Sequence, residues 1–405
     1  MPSPKQTKRR YIQVHSNCIA NLIDLKGVSI KKVQQANSYI KIFIETKARP
    51  HKCPCCGLTT AKIHDYRNQT IKDLPFQLKD AYLVLRKRRY VCSCGKKFYE
   101  TYHFLPRYQQ RTRRLSFKII ELLRSTHSMK SVAEQLNVST STVIRLIDTI
   151  NYEIPTSLPT ILSIDEFKGN TDAGKYQCIL VDAEKHKVLD ILPDRTQAHL
   201  CTYFRQFSRK EREKVKFFIS DMWQPYVDLA TAFFPNATII TDKYHFMRQV
   251  TWAIENVRKR LQKTMPENLR KYYKRSHRLI LSRYNKLSDE NKKACDLMLL
   301  YNDDLRAAHG LKEWFWKICN TTQYKEQRIE FRRWLDFAEH SGIPEFIKCA
   351  TTFRHWIKPI LNALKYGYTN GPTEGFNNKI KVLKRNSYGI RNFMRFRTRI
   401  IHSSN

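Results

Sequence analysis

The sequence predicts a multidomain α+β protein, and three observations lead there. Two cysteine clusters near the N-terminus each follow a β-rich run. A stretch of helical periodicity, broken by a short polar turn, comes next. A series of apolar runs ending in acids then gives way to a long helical segment. The chain has 405 residues, enough for several domains, and 41% of them are hydrophobic, which suits a globular protein. Lys and Arg number 74 against 36 Asp and Glu, a formal charge of +38. Such an excess calls for a polyanionic partner, nucleic acid before an anionic membrane surface. No apolar run is long enough to span a bilayer. The opening MPSPKQTKRR is basic but lacks the apolar stretch of a secretory leader. The expectation is a cytoplasmic, nucleoid-associated protein with no membrane partner.

The eleven cysteines do not suit a closed disulfide framework. Cys178 and Cys349 lie in apolar runs and read as buried thiols. The clusters HKCPCCG and YVCSCGKKF differ from these. In the first, Cys53 and Cys56 flank a tight turn, with Gly57 where a positive φ is expected. Cys92 and Cys94, followed by Gly95, supply a second pair. Four thiolates close a tetrahedral structural Zn²⁺ site and leave no open position for catalysis. The second pair is C-x-C, the gap between pairs is long, and Cys55 is a spare; reduced thiols without metal are the alternative. KIFIET and YLVLRKRRYV, which precede the clusters, read as strands, and residues 86–89 offer basic groups for phosphate contact.

In SFKIIELLRSTHSMKSVAEQLNVSTSTVIRLIDTI, apolar residues recur at helical spacing over 117–123, 132–136 and 143–147. Ala133 lets two helices approach, Asn137 takes a left-handed turn, Val138 plugs the core and Ser139 caps the next helix. ELLRSTHS reads as the supporting helix. Thr140, Ser141, Thr142 and Arg145 would then meet a DNA major groove. An ordinary helical hairpin is the alternative.

After Pro155 and Pro159 the pattern turns to β. TILSIDEFKG, YQCILVDAE and KVLDILPD read as three strands. A helix, a strand ending at Asp221, a helix and a strand ending at Asp242 follow. This is the order of an RNase H-like domain, antiparallel strands first and parallel ones after. Asp165 and Asp221 stand where apolar runs end, and ligands of α/β sheets bind at such positions. Two carboxylates on adjacent strands, joined by a third from a later helix, can hold two Mg²⁺ ions. Glu166, Asp172 and Asp182 compete for the first position, and Asp221 could be only a helix cap.

The segment 251–365 is helical by pattern. Between Arg258 and Arg283 it is dense in Lys and Arg, either a solvated face or a phosphate-tracking one, with Tyr272, Tyr273, Trp314 and Trp316 available to stack on bases. TNGPTEGF then carries Glu374, after which no Asp or Glu occurs. Asn370-Gly371-Pro372 reads as a turn. Glu374 either caps the following helix or binds a cation beside a polyanion, in a tail that faces DNA.

These segments together resemble bacterial insertion-sequence transposases of the DDE type, closest to the ISL-three group. The matching stretches are CPCCG with RRYVCSCGKKF, SVAEQLNVSTSTV, SIDEFKG, ISDMWQPY, TDKYHFMRQV and TNGPTEGFNNKIKVLKRNSYGIRNFMRFRTRI. The resemblance implies catalytic Asp165, Asp221 and Glu374 holding two Mg²⁺ (or Mn²⁺) ions, with Asp242 and His245 in support. It implies double-stranded DNA partners, both transposon ends and target, and a homo-oligomer, a dimer on DNA. Lys379, Lys381, Lys384 and Arg385 would hold the DNA strand. The implied domains are a zinc-binding module over 1–110, a helix-turn-helix over 111–154, an RNase H-like domain over 155–250 and 366–405, and an all-α insertion over 251–365. Three rivals are a non-catalytic DNA-binding regulator, a tyrosine recombinase built on His245 and Arg248, and an RNase H-like nuclease that cuts without transfer.

Overall fold

The computed structural model describes residues 25–405; the basic opening segment lies outside the described residues. Two compact units result. The first runs to Tyr152 and takes in Val382–Ile390 and Met394–Ser403; the second holds Glu153–Lys381, Arg391–Phe393 and Ser404–Asn405.

In the first unit, the strands are β1 (Val28–Gln35), β2 (Tyr39–Thr46), β3 (His51–Lys52), β4 (Thr59–Thr60), β5 (Ile63–Phe76), β6 (Lys79–Val91) and β7 (Lys97–Tyr99). One sheet has the order β1-β2-β6-β5 with β7 on β6, and β3 and β4 form a small ribbon. Both predicted strands are present. Alternate residues Ile40, Ile42, Ile44, Leu83 and Leu85 turn inward onto Phe104 and Leu105, as period-2 side-chain direction requires. Arg88, expected near phosphate, is instead 4% exposed and pairs with Glu45 at 2.6 Å and Glu100 at 3.5 Å. It lies on the face of β6 opposite Leu83 and Leu85, held there between two acids.

Helices α1 (Arg113–Leu122), α2 (Met129–Gln135) and α3 (Thr140–Ile147) follow. ELLRSTHS gives only its first two residues to α1; the rest is the turn to α2. That turn is held from a distance. Arg399, fully buried, donates to the carbonyls of Ser125 at 2.8 Å and His127 at 2.7 Å. Arg395 makes a two-bond pair with Asp148, and the buried His402 donates from Nε2 to the Ile120 carbonyl at 2.8 Å and accepts at Nδ1 from the Tyr152 hydroxyl at 2.7 Å. The C-terminal arginines thus clamp the three-helix module, which corrects their reading as a wholly DNA-facing tail.

The second unit carries β8 (Ile161–Thr171), β9 (Gly174–Asp182), β10 (Lys187–Leu192), α4 (Gln197–Arg205), α5 (Arg209–Arg212), β11 (Phe217–Ser220), α6 (Gln224–Phe233) and β12 (Thr238–Thr241). Its sheet order is β10-β9-β8-β11-β12, antiparallel across the first three and parallel from β8 to β12. This is the expected RNase H-like order. Leu162, Ile164 and Phe218 pack on α4 and α6, while Ile161, Ile219 and Ile240 face the opposite layer. That layer is α7 (Lys243–Leu261), α8 (Glu267–Arg275), α9 (His277–Leu281), α10 (Asp289–Leu299), α11 (Asp303–Asn320), α12 (Tyr324–Glu339), α13 (Pro344–His355) and α14 (Ile357–Tyr366). Phe315, Trp334 and Phe353 form its aromatic centre, with ring centroids 4.9–5.7 Å apart. Tyr273 and Arg258 are buried within it, so Tyr273 cannot stack on a base and Arg258, paired with Glu255 at 2.6 Å, is no solvated charge. Helix α15 (Gly371–Asn386) and α16 (Phe393–Ser404) complete the chain. Gly371 and Pro372 already belong to α15 rather than to a preceding turn, since Pro is accepted in a helix's first turn.

Arg88→Met should leave Glu100 buried without a counter-charge and cost about 3–5 kcal/mol. Urea denaturation should show a large drop in midpoint, against a loss under about 1 kcal/mol for the exposed Arg86→Met.

Candidate active site

The four predicted cysteines converge. The sulfurs of Cys53, Cys56, Cys92 and Cys94 all lie within 4.8 Å of one another, with Cys53 3.7 Å from Cys94 and Cys56 3.5 Å from Cys92. A tetrahedral ZnS₄ centre needs sulfurs about 3.8 Å apart, so the set fits. Gly57 at φ 75° and Gly95 at φ 83° close the two knuckles. The Gly57 amide donates to the Cys53 carbonyl at 3.0 Å, and that of Gly95 to Cys92 at 2.9 Å. A C-x-C pair serves as well as C-x-x-C because Gly95 turns the chain at once. Cys55 is exposed and outside the cluster. The Cys94 backbone N–H draws the Cys92 thiol down to about 6, helped by Cys56.

The helical module has the predicted capping. Asn137 sits at φ 45°, and the Ser139 hydroxyl accepts from the Thr142 amide at 3.2 Å. Ala133 is buried and Val138 packs partly into the same core. Thr140, Ser141 and Arg145 are exposed at the start and on the outer face of α3, and Thr142 is half-buried.

The acids assemble through register. Ile219 pairs with Ser163 and Ser220 with Thr241. Asp221 and Asp242 are the residues directly after the paired ends of β11 and β12, and Asp165 lies two residues beyond the last β8–β11 pair. Asp165 lies in the middle of β8, not at its end: the strand continues to Thr171 in the hairpin with β9, after its pairing with β11 has stopped. Burial, and then the charge of Asp221, push the Asp165 carboxyl up to about 7. Asp221 does not cap α6, whose N-cap is Trp223. Its Oδ2 lies 3.0 Å from His245 Nε2, and its Oδ1 is buried without a partner. His245 Nδ1 lies 3.3 Å from Asp242. Burial works against the charged imidazole, but the two carboxylates outweigh it and raise it to about 10. Asp242 also caps α7 and accepts from the Asn370 amide at 2.9 Å.

Helix α15 reaches the same place. Asn370, Thr373, Glu374 and Asn377 fall within about 100° of helix circumference. The Thr373 hydroxyl meets Ser163 Oγ at 2.8 Å, Ser163 donates to Asn370, and Asn377 Nδ2 donates to Asp165 Oδ2 at 2.7 Å. Glu374 lies between these anchors, exposed, in the first turn, and its carboxylate has no partner among the described residues. Among those residues only the cysteine set brings three or more ligand atoms within 4.8 Å of one another. The carboxylates of Asp165, Asp221 and Glu374 are spread more widely.

The competitors for the first position are engaged elsewhere. Glu166 pairs with Arg195, whose guanidinium stacks 4.8 Å from Trp223. Asp172 accepts from the Phe393 amide at 2.8 Å, and Asp182 from those of Glu184 and Lys185. Sequence reasoning missed Ser163, Asn370 and Thr373 as anchors and Asn377 as a donor to Asp165; their helical spacing was the available signal.

Comparison with known proteins agrees with this geometry. A family described as transposase matches residues 162–400, a zinc-finger of transposases IS204, IS1001, IS1096 and IS1165 matches 49–94, and the helix-turn-helix domain of transposase family ISL3 matches 100–151. The chain belongs to the ISL3 family of DDE transposases. It is 26% identical over 383 residues to the transposase of insertion sequence IS1001 from Bordetella parapertussis, covering 90% of this chain and 92% of that one. It is 23% identical to the IS1557 transposase of Mycobacterium tuberculosis over 54% of both chains. A 50-residue stretch is 54% identical to an ATP-dependent protease of Lactococcus lactis, 12% of this chain and too short to bear on the whole.

The transposase thus has a DNA-binding helix-turn-helix and a cysteine site suited to structural zinc. No helix of the described residues is long and apolar enough to cross a membrane. Lys381 and Arg385 are exposed along α15, while Lys379 and Lys384 are half-buried.

Purified transposase should carry about one zinc per chain, and Cys92→Ser should lose most of it by metal analysis. A raised carboxyl pKa means that the folded chain holds its proton more tightly than the unfolded chain. Asp165 therefore lowers stability as pH rises from about 4 through about 7. In EDTA, urea midpoints of Asp165→Asn relative to the parent should improve across that window and level off above it.

Proposed function

We propose that this transposase binds the terminal inverted repeats of its insertion sequence and catalyses Mg²⁺-dependent DNA cleavage and strand transfer. The observation that carries the reading is the position of Asp165 and Asp221 just beyond the paired segment of β8 and β11, with α15 anchored to β8 on both sides of Glu374. A buried, unpartnered Asp221 oxygen and a half-deprotonated Asp165 suit hard-cation ligands. Asp165, Asp221 and Glu374 would hold the ions, with Mn²⁺ as a substitute. Bound there, the ions supply Lewis-acid stabilisation to the attacking and leaving oxygens of a phosphodiester.

The chain's own residues set the geometry. Asn377 fixes the orientation of the Asp165 carboxylate, and His245 holds Asp221 against Asp242. Water opens the phosphodiester at the element end, and the freed 3′-hydroxyl attacks the target strand. No covalent protein–DNA intermediate is needed, so no Ser or Tyr nucleophile is required. The recognition helix α3 reads the element end through Thr140, Ser141, Thr142 and Arg145, and Lys379, Lys381, Lys384 and Arg385 hold the strand that is cut. Two ends must be brought together, which calls for a dimer on DNA.

Asp165→Ala, Asp221→Ala and Glu374→Ala should each abolish nicking and joining of an element-end duplex in Mg²⁺ while end binding persists. Wild-type cleavage by any of them would remove that residue from the site.

A further inference from the structure

The first unit carries two basic cavities that meet. One, about 480 Å³, is lined by Arg67, Lys87 and Tyr99. The other, about 760 Å³, is lined by Lys72, Arg111 and the α3 residues Ser139, Thr142 and Arg145. Thr70 and Gln110 line both, so they form one track from the zinc module to the recognition helix. No acidic residue lines either cavity among the described residues.

Two like-charge pairs stand along this track. Arg67 and Lys87 are directly opposed in the β5–β6 ladder. Such a pairing destabilises a sheet. Lys87 bonds only a neutral side chain, Gln69 at 3.3 Å, and lies over the Tyr99 ring at 4.7 Å. At the other end Arg111 is half-buried beside Arg145; burial first, and then the Arg145 charge, hold it below its ordinary value. The loop that bears Arg111 is rigidly tied to β5. The Lys72 amide donates to Gln110 O at 2.8 Å, Thr112 N to Lys72 O at 3.0 Å, and Gln69 Nε2 to Gln109 O at 3.0 Å. Tyr108, at φ 62° and 90% exposed, stands at the rim. A non-glycine residue held there is strained without serving the core.

We propose that this track is a phosphate-backbone seat for duplex DNA, with Arg67, Lys87 and Arg111 as its contacts and Tyr108 against the adjoining sugar. It deepens the proposed end-binding reading by assigning residues outside α3. A DNA strand that enters along α3 is continuous with the track, and its phosphates would neutralise both like-charge pairs. The rigid loop lowers the ordering cost of binding.

The test uses the full chain and a labelled random-sequence duplex, without Mg²⁺, titrated across a salt series by fluorescence anisotropy. Each lost phosphate contact should flatten the slope of log K against log salt by about 1. Arg67→Ala/Lys87→Ala should flatten it by about 2, and Arg111→Ala by about 1. The charge-keeping Arg67→Lys/Lys87→Arg should keep the parental slope. Lys185→Ala/Lys187→Ala, both exposed where the β9–β10 turn enters β10 in the second unit, should change it less. Equal flattening by that control, or a parental slope in the track variants, overturns the proposal. So does loss of polyglutamate binding with DNA binding intact, which would mark an acidic-polypeptide site. If the double alanine variant loses zinc, Arg67→Gln carries the test. Because nothing is cleaved, failure here is separate from failure of the strand-transfer reading.

Discussion

The polar lock between β8 and the start of α15 is the constraint on which the second unit's site depends. Ser163, Asn370, Thr373 and Asn377 are all buried, and their hydrogen bonds join positions 207 to 212 residues apart. Buried hydroxyls and amides are costly when unpaired, so each partner holds the other in place. The eight helices between β12 and α15 can therefore pack as a separate layer without setting where Glu374 lies. What matters is that the chain returns to the same strand.

The electrostatics of that locus follow from geometry. Three aspartates on β8 and just past the ends of β11 and β12 repel one another, and burial adds to the cost of their charge. Two responses are visible. Asp165 is held near half-protonation at neutral pH, and His245 is held protonated between Asp221 and Asp242. The imidazolium stabilises the fold fully below its ordinary value near 6.5, and that contribution is lost as pH rises through about 10. A concentration of negative charge with one unpartnered oxygen is a poor way to stabilise a core and a good way to hold cations.

The first unit is held by charges of the opposite sign. Arg88, Arg397 and Arg399 are nearly or fully buried, each tied to acids or to backbone carbonyls. These cations look like DNA contacts in a sequence because a run of Arg does not say which way each points. The acids that flank Arg88 on its face of β6 and the packed face of α16 decide that. The predicted capping of α3, by contrast, was legible because Ser139 and Asn137 act on backbone within a few residues.

Local chemistry, then, was fixed by the chain's order of residues. Strand alternation, the Gly after each cysteine pair and the caps of the three-helix module all act over short range, and the sequence alone determined them. The differing surroundings of the candidate carboxylates appear only in three dimensions. Glu166, Asp172 and Asp182 carry the same carboxylate as Asp165, and only their distant partners Arg195 and Phe393, or the local turn at Glu184, show that they are engaged. The destination of α16 and the anchoring of α15 likewise arise from contacts across more than two hundred residues. A linear pattern carries no measure of such contacts, because they depend on which surfaces remain free once every local element has formed.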